Sequence, residues 1–503
     1  MKKIYLFFLL FACMSALSAQ QRYIDPIFTD VSVTSNVVYG VNATVIAVSV
    51  AGQAIPQPLV MDVYTPDGDN EVDRPLVIML HTGNFLPPSV NGGCSGTHKD
   101  ADVVHAATEL AKRGYVVASA DYRLGWNPVS PDATTRVFTL INAVYRGIQD
   151  SKTCIRYFRK SLDSGDPYGI DDTKITLWGF GTGGYIALAA GTVDTITDSY
   201  IPKFLTPLGP MVIEPINGNV EGTTVGITVP GYPGFPVGDT LCYPNHIGYG
   251  SDFALTVNLG GALGDTSWLD ANDPPMISYQ VPTDPYAPCG IGTVLVPPPV
   301  NLPVVEVMGA CTFQAMANAL GVNDAYASVE YIDAISDIAK SRNGDIEGFF
   351  PFPSSDPTEG SPWSYATSLE PYGVVGSNCD TGSVSAYVYL DTILQYFLPR
   401  ACVALGLGCD LTGIVSAEEI LVSQEVGFVM APNPSYGEVA LQSREDRPML
   451  DIQVYDLNGR LVRNVANVSQ SAYTLQRGQL PPGMYVVKVR FEEGFVAQRL
   501  VLN

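Results

Sequence analysis

The sequence predicts an α/β protein: one large, mostly parallel sheet with helices on both faces, followed by a small β-sandwich. Three observations carry that prediction. From about Tyr23 to Leu411, apolar β-rich runs alternate with stretches of helical periodicity. After about Thr412 the text changes to short alternating strands, and the charge balance changes with it. Residues 426–503 hold eight Lys and Arg against seven Asp and Glu, so the excess acidity of the chain lies in the preceding body. At 503 residues the chain exceeds the size at which single cores stop growing, about 250–300 residues, which argues for a second domain.

The first residues, "MKKIYLFFLLFACMSALSAQ", give Lys2 and Lys3, an apolar run too short to span a membrane, and small residues at Ala16 to Ala19. Residues 1–19 therefore read as a secretory signal. Cys13 behind Leu10, Phe11 and Ala12 is a loose lipoprotein-like pattern, and the later small-residue site is the better match. Removing this segment takes two of the 27 basic residues and none of the 50 acidic ones, leaving an acidic excess of 25. That field excludes a nucleic-acid partner. Nine cysteines less Cys13 leave an even number in an oxidising compartment, so disulfides are expected, Cys402 with Cys409 first, and no metal site is expected. No cofactor is expected, and no transmembrane segment in the mature chain.

Within the body, residues 22–411, "RPLVIMLH" (Arg74 to His81) and "GYVVASADYRL" (Gly114 to Leu124) read as strands flanking the helical "ADVVHAATELAKR". A long helix follows, with Val137, Leu140, Ile141, Val144, Ile148, Ile155 and Phe158 near one stripe. "ITLWGFGTGGYIAL" (Ile175 to Leu188) is the next strand, turn and helix. "ALTVNLGGAL" (Ala254 to Leu263), "PMISYQV" (Pro275 to Val281) and "ASVEYID" (Ala327 to Asp333) are the later strands, and a last helix is expected near Val384 to Pro399. Residues 213–252 are rich in Gly, Pro and Thr and read as an insertion over the C-terminal edge of the sheet. Residues 412–425 read as a linker. In the tail, Asn458-Gly459 is a strong two-residue hairpin signal within a sandwich of roughly seven short strands.

The tail segments "APNPSYGEV", "VYDLNGRLV" and "LPPGMYVVKV…QRLVLN" occur in that order at the C-terminus. They resemble the type A C-terminal sorting domain of the Bacteroidota type IX secretion system, an immunoglobulin-like sandwich. The resemblance implies export through that secretion machinery and release or attachment at the cell surface.

The glycine turn admits two readings. Gly179, Gly181 and Gly184 satisfy the G-x-G-x-x-G of dinucleotide-binding enzymes. That reading needs an acidic residue about twenty residues on, and the unit normally opens its domain. Glu214 lies thirty residues after Gly184, and at least two strand–helix pairs precede the turn. The other reading is the strand–elbow–helix of an α/β-hydrolase, G-x-S-x-G.

The body resembles α/β-hydrolases of the carboxylesterase and hormone-sensitive-lipase kind over nearly all of Tyr23 to Leu411. "IMLHTGNF" (Ile78 to Phe85) stands where such enzymes carry an HGGGF-like oxyanion loop, and "ASADYRLGW" (Ala118 to Trp126) resembles their sidYRl strand. The resemblance puts Gly181 in the nucleophile's place, Thr182 after it, and the triad acid at Asp284 in "ISYQVPTDPYAP". It makes His81, Thr82, Gly83, Asn84 and Thr182 the oxyanion-loop-like set. The base of this fold follows the acid in the chain, yet His81, His98, His105 and His246 all precede Asp284. Nucleophile and base are thus both missing, which removes the proton-transfer chemistry.

Each remaining candidate has a plainer role beside the chemical one. Thr182 caps a helix, Cys94 pairs in a disulfide next to Ser95, His81 is a bonded structural histidine, and Asp284 caps a turn. His246, in the insertion, is the one candidate for a rewired base. Tyr122, Asp265, Trp268, Gln280 and His246 are expected around the cleft between His81, Gly181 and Asp284, which would hold an ester, glycan or peptide. The sequence reading is therefore a surface-directed pseudoenzyme that binds or builds, with an active carboxylester hydrolase using an unrecognised nucleophile or base as the rival.

Overall fold

The computed structural model describes residues 20–91, 93, 95–296, 300–354, 359–365, 383–411, 419–420, 426–456, 461–466, 468–491 and 494–502. The signal segment, most of the linker, Cys94, and the Asn458-Gly459 turn lie outside the described residues.

The body is built on an eight-stranded sheet. Its strands are β1 (Val31–Thr44), β2 (Ile55–Pro66), β3 (Arg74–Leu80), β4 (Val116–Ala120), β5 (Ile170–Phe180), β6 (Leu255–Leu259), β7 (Met276–Gln280) and, after a hairpin described below, Phe349–Pro351 at the far edge. Their spatial order is β1-β2-β4-β3-β5-β6-β7 and the edge strand. β1 and β2 are antiparallel, β2 is antiparallel to β4, and every later pairing is parallel. The opening antiparallel hairpin, over Val31–Thr44 and Ile55–Pro66, is not among the strands read from the sequence.

The parallel strands are apolar on both faces because helices cover both. In β3, Leu76, Ile78 and Leu80 enter one core, while Val77 and Met79 enter the other. Each fully buried side chain of this kind is worth about 1.5–3 kcal/mol. The first core is closed by α2 (Ala133–Leu162) and α3 (Thr182–Thr192), the second by α1 (Ala101–Ala111) and the C-terminal helix Ser383–Ala404. Asp132 starts α2 by accepting a hydrogen bond from the Thr135 amide. Arg123, just after β4, is anchored to Asp150 of α2 at 2.9 Å with both side chains fully buried. That pair fixes the helix against the sheet margin.

One expectation is corrected. "ASVEYID" is not a strand: Asp324–Ala327 is a short helix, and Asp333 caps helix Ala334–Asn343 through the Ser336 amide. The carboxylate that reads as a strand end is satisfied as a helix start. The sheet ends instead at Phe349–Pro351.

The insertion packs at the β1–β2 margin, where Thr44 ends β1 and Ile55 begins β2. Ile216 and Leu241 pack on Ala43 and Ala54, and Asp239 and Asn42 tie the two segments through the Ala54 and Tyr243 amides. What covers the middle is a hairpin of β8 (Ile291–Leu295) and β9 (Pro303–Met308), which runs into α4 (Ala310–Leu320).

Not every cysteine is oxidised. Cys289–Cys311 and Cys402–Cys409 are disulfides, whereas Cys154 and Cys242 are free, and burial raises the thiol pKa of each.

The tail forms two sheets around one core. One joins Glu419–Ile420, Gly494–Leu502, Gly483–Arg490, Asp451–Asp456 and Leu461–Val465; the other joins Val429–Ala431, Glu438–Gln442 and Ala472–Gln476. Val439, Leu441, Ile452, Val454, Val487 and Val489 fill the space between them. Among the described residues no helix is long and apolar enough to cross a membrane.

Candidate functional site

A cavity of about 150 Å³ opens at the C-terminal ends of the central strands. Crevices outside the carboxyl ends of strands are where α/β sheets take their ligands, because the loops there are free to carry side chains. Thr82, Gly83 and Asn84 come from the loop after β3, Gly181 and Thr182 from the β5–α3 turn, and Asp284 from the loop after β7. Val137, Leu140, Ile141 and Val144 of α2 form one side, and the β8–β9 hairpin supplies Val294, Leu295, Val305 and Val307 as a roof. Trp126, Phe204 and Trp268 complete a largely apolar wall.

Gly181 has φ +49° and ψ −111°, a conformation that side chains disfavour and glycine adopts freely. The next two glycines have a packing reason. A Cβ on Gly183 would meet the Leu80 and His81 carbonyls, and one on Gly184 would meet Asn258 and Gly261. The glycine-rich turn therefore serves close contact between α3 and the sheet.

At Gly181 the obstacle is a side chain. A Cβ there would overlap the Thr82 hydroxyl and stand 2.8 Å from Thr82 Cβ. That hydroxyl accepts a hydrogen bond from the Thr182 amide at 3.4 Å. Thr182 Oγ1 in turn shares a 3.0 Å hydrogen bond with the Tyr122 hydroxyl, which also donates to the His81 carbonyl.

Asp284 is buried. Its Oδ1 accepts from the Tyr286 amide at 2.7 Å and the Ala287 amide at 3.1 Å, the turn-capping role expected of it. Among the described residues nothing donates to its Oδ2. Burial, with the Glu359 charge nearby, pushes its carboxyl up to about 7 despite those two bonds. Gly360 follows it in the chain and faces it in space: a Cβ on Gly360 would lie 2.7 Å from Asp284 Oδ1.

The structure brings Thr82, Gly83, Asn84, Gly181, Thr182, Trp268 and Asp284 to one cavity and leaves five expected residues off its wall. His81 turns inward, stacks on Tyr122 and lies 3.5 Å from Asp121, with burial holding its imidazole pKa down. Tyr122 sits behind the Thr182 hydroxyl. Asp265 pairs with Lys203 at 2.8 Å and caps a short turn at Ser267. Gln280 is fully buried, bonding the Ala287 carbonyl and the Ala310 amide. His246 bonds the Tyr39 carbonyl at 2.7 Å and packs on Tyr157, so it does not reach the cavity. His98 lies 2.8 Å from Asp121, and His105 stacks on Tyr387. No histidine, lysine or arginine is on the wall among the described residues.

Sequence reasoning missed three features. The hairpin roof had a signal, since two β-branched runs flank "VPPPVNL". Thr82 over the elbow and Gly360 beside Asp284 had none, because each depends on loops meeting across the sheet edge.

Residues 61–207 match the BD-FAE family model, and residues 429–503 match that of the secretion system C-terminal sorting domain. No curated protein matches the chain. Among solved structures, esterase 2 of Thermogutta terrifontis phosphorylated by paraoxon is similar at 16% identity and a TM-score of 0.34, over 74% of this chain and 94% of that one. A truncated carbohydrate esterase from gut microbiota is similar at 14% identity and a TM-score of 0.32, over 74% of this chain and 96% of that one.

Proposed function

We propose, from the premise of an esterase-like α/β-hydrolase body followed by a secretion sorting domain, that this secreted or cell-surface protein is a pseudoenzyme whose cavity binds without hydrolysing. One observation carries the reading. Where a serine hydrolase raises its nucleophile, residue 181 has no side chain, and the Thr82 hydroxyl fills the space and occupies the Thr182 amide. That amide belongs to the residue after the nucleophile, a donor such enzymes aim at the developing oxyanion.

The base fares no better. In the chain order nucleophile, acid, base, the positions are Gly181, Asp284 and Gly360, and the last has no imidazole to offer. The rival reading, an active ester hydrolase, has one group in its favour, the Thr82 hydroxyl at the elbow. Among the described residues it has no imidazole or amine on the wall to take its proton.

Two measurements test the proposal: labelling by a fluorophosphonate probe, and turnover of p-nitrophenyl acetate by the intact secreted protein. The expected result is no labelling and turnover at the buffer rate. A probe adduct on Thr82 or Thr182 would overturn it.

A further inference from the structure

The wall of the cavity is uneven in its chemistry. Phe85, Trp126, Tyr185, Phe204, Trp268 and Tyr286 present aromatic rings, and α2 and the hairpin roof present aliphatic side chains. Against these stands one carboxyl group, Asp284, with an oxygen that receives no hydrogen bond among the described residues and no cation beside it. A buried ionised carboxylate without a partner costs several kcal/mol, so the site gains most from a ligand that brings the missing positive charge. Gly360 leaves no side chain between that carboxyl and its surroundings.

We infer that the cavity takes a protonated primary amine carried on an apolar body, its ammonium on Asp284 and its body among Trp126, Val144, Phe204, Trp268 and Leu295. This rests on the reading of the body as a binding protein. The ligand's ammonium stands where the imidazolium of an intact triad would be. Aromatic faces near the carboxylate add cation–π attraction, and the chain's 50 acidic against 27 basic residues give a field that draws cations in. An anionic ligand meets the opposite: no positive side chain on the wall among the described residues, and Asp284 and Glu359 to repel it. A glycan would need several polar partners where the wall offers mainly hydrocarbon.

The pH dependence follows from the groups that face Asp284, which are Tyr185 on α3, Tyr286 in its own loop and Glu359 on the neighbouring loop. Burial raises the Tyr185 hydroxyl pKa well above the usual value. An amine competes with the proton on Asp284, whose pKa is about 7, so affinity falls about tenfold per pH unit below that point and levels off above it.

The experiment is calorimetric titration of the full secreted chain with phenylbutylamine, phenylbutanol and phenylbutyrate, repeated with Asp284→Asn. The amine should bind tightest, and the substitution should weaken it by roughly 10- to 100-fold while leaving the alcohol unchanged. Should the variant lose the alcohol too, the pH series on the parent protein decides. Tighter binding of the butyrate, equal binding of amine and alcohol, or a flat amine profile overturns the inference. Failure to bind the amine in a preparation that does not turn over p-nitrophenyl acetate overturns the ligand and leaves the non-catalytic reading standing. Ester turnover in that preparation overturns the non-catalytic reading.

Discussion

Gly360 faces Asp284 so closely that a Cβ on the glycine would lie 2.7 Å from the carboxylate Oδ1. The two residues are 76 positions apart and come from loops after neighbouring parallel strands, β7 and Phe349–Pro351. Any side chain at 360 would overlap the acid, so the Asp284 carboxyl would have to shift to admit one.

Restoring the serine alone should fail. Gly181→Ser brings a side chain into a positive-φ turn and against the Thr82 hydroxyl. Overpacking and backbone strain each cost about 1–3 kcal/mol. Urea denaturation should show that loss, and p-nitrophenyl acetate turnover should stay at the parent's level. Parent-like stability would mean that Thr82 swings aside freely.

Combining Thr82→Ala, Gly181→Ser and Gly360→His should restore measurable chemistry. Gly360 is outside the positive-φ region that disfavours side chains, so the backbone accepts histidine, but its Cβ would overlap the Asp284 carboxyl, which must turn aside to pair with the imidazole. Because triad members act as a unit, most of the gain should require all three changes, and a rise of at least about tenfold over Thr82→Ala/Gly181→Ser is expected. Equal rates with and without the histidine would remove Gly360 from the base's place.

Stability should depend on Asp284 with a definite sign. Its folded pKa of about 7 is raised above the usual 3.8, so the folded state holds the proton more tightly. The contribution is fully present below about pH 4 and is lost as the pH rises through about 7, a change on the order of 4 kcal/mol. Asp284→Asn keeps an acceptor for the Tyr286 and Ala287 amides and has no charge to bury. It should therefore be more stable than the parent at about pH 8 and close to it at about pH 4. Thermal unfolding across that range checks the crossover, and a constant offset would contradict it.

Alkylation of the unreduced, denatured protein should label Cys154 and Cys242 and spare Cys289, Cys311, Cys402 and Cys409. Peptide mass spectrometry reads each site. Label on Cys289 or Cys311 would mean that the roof of the cavity is not tied at its root.

The parallel strands were legible because burial on both faces leaves uninterrupted apolar runs such as "RPLVIML". Gly181 and Asp284 were legible through the resemblance to α/β-hydrolases, whose loops leave the sheet at the same points of the strand and helix order, and both line the cavity. Tyr122, Gln280 and His81 misled because a polar residue at a strand end reads the same whether it faces the cavity or serves the backbone behind it. Gln280 does the latter, holding the Asp284 loop to the start of α4. The margin at which the insertion packs was not legible, because its composition announces an irregular segment and carries no information about position.

The Thr82–Gly181 contact also bears on the direction of change open to this chain. Serine at residue 181 is sterically refused while Thr82 keeps its hydroxyl where it is. Losing that hydroxyl first costs the Thr182 amide its acceptor and gains no chemistry, since Gly360 still has no imidazole. Each single step back toward hydrolysis is neutral or harmful, and only their combination is useful. On the non-catalytic reading proposed above, the contact would work as a mutational ratchet, leaving selection to reshape the cavity for affinity alone.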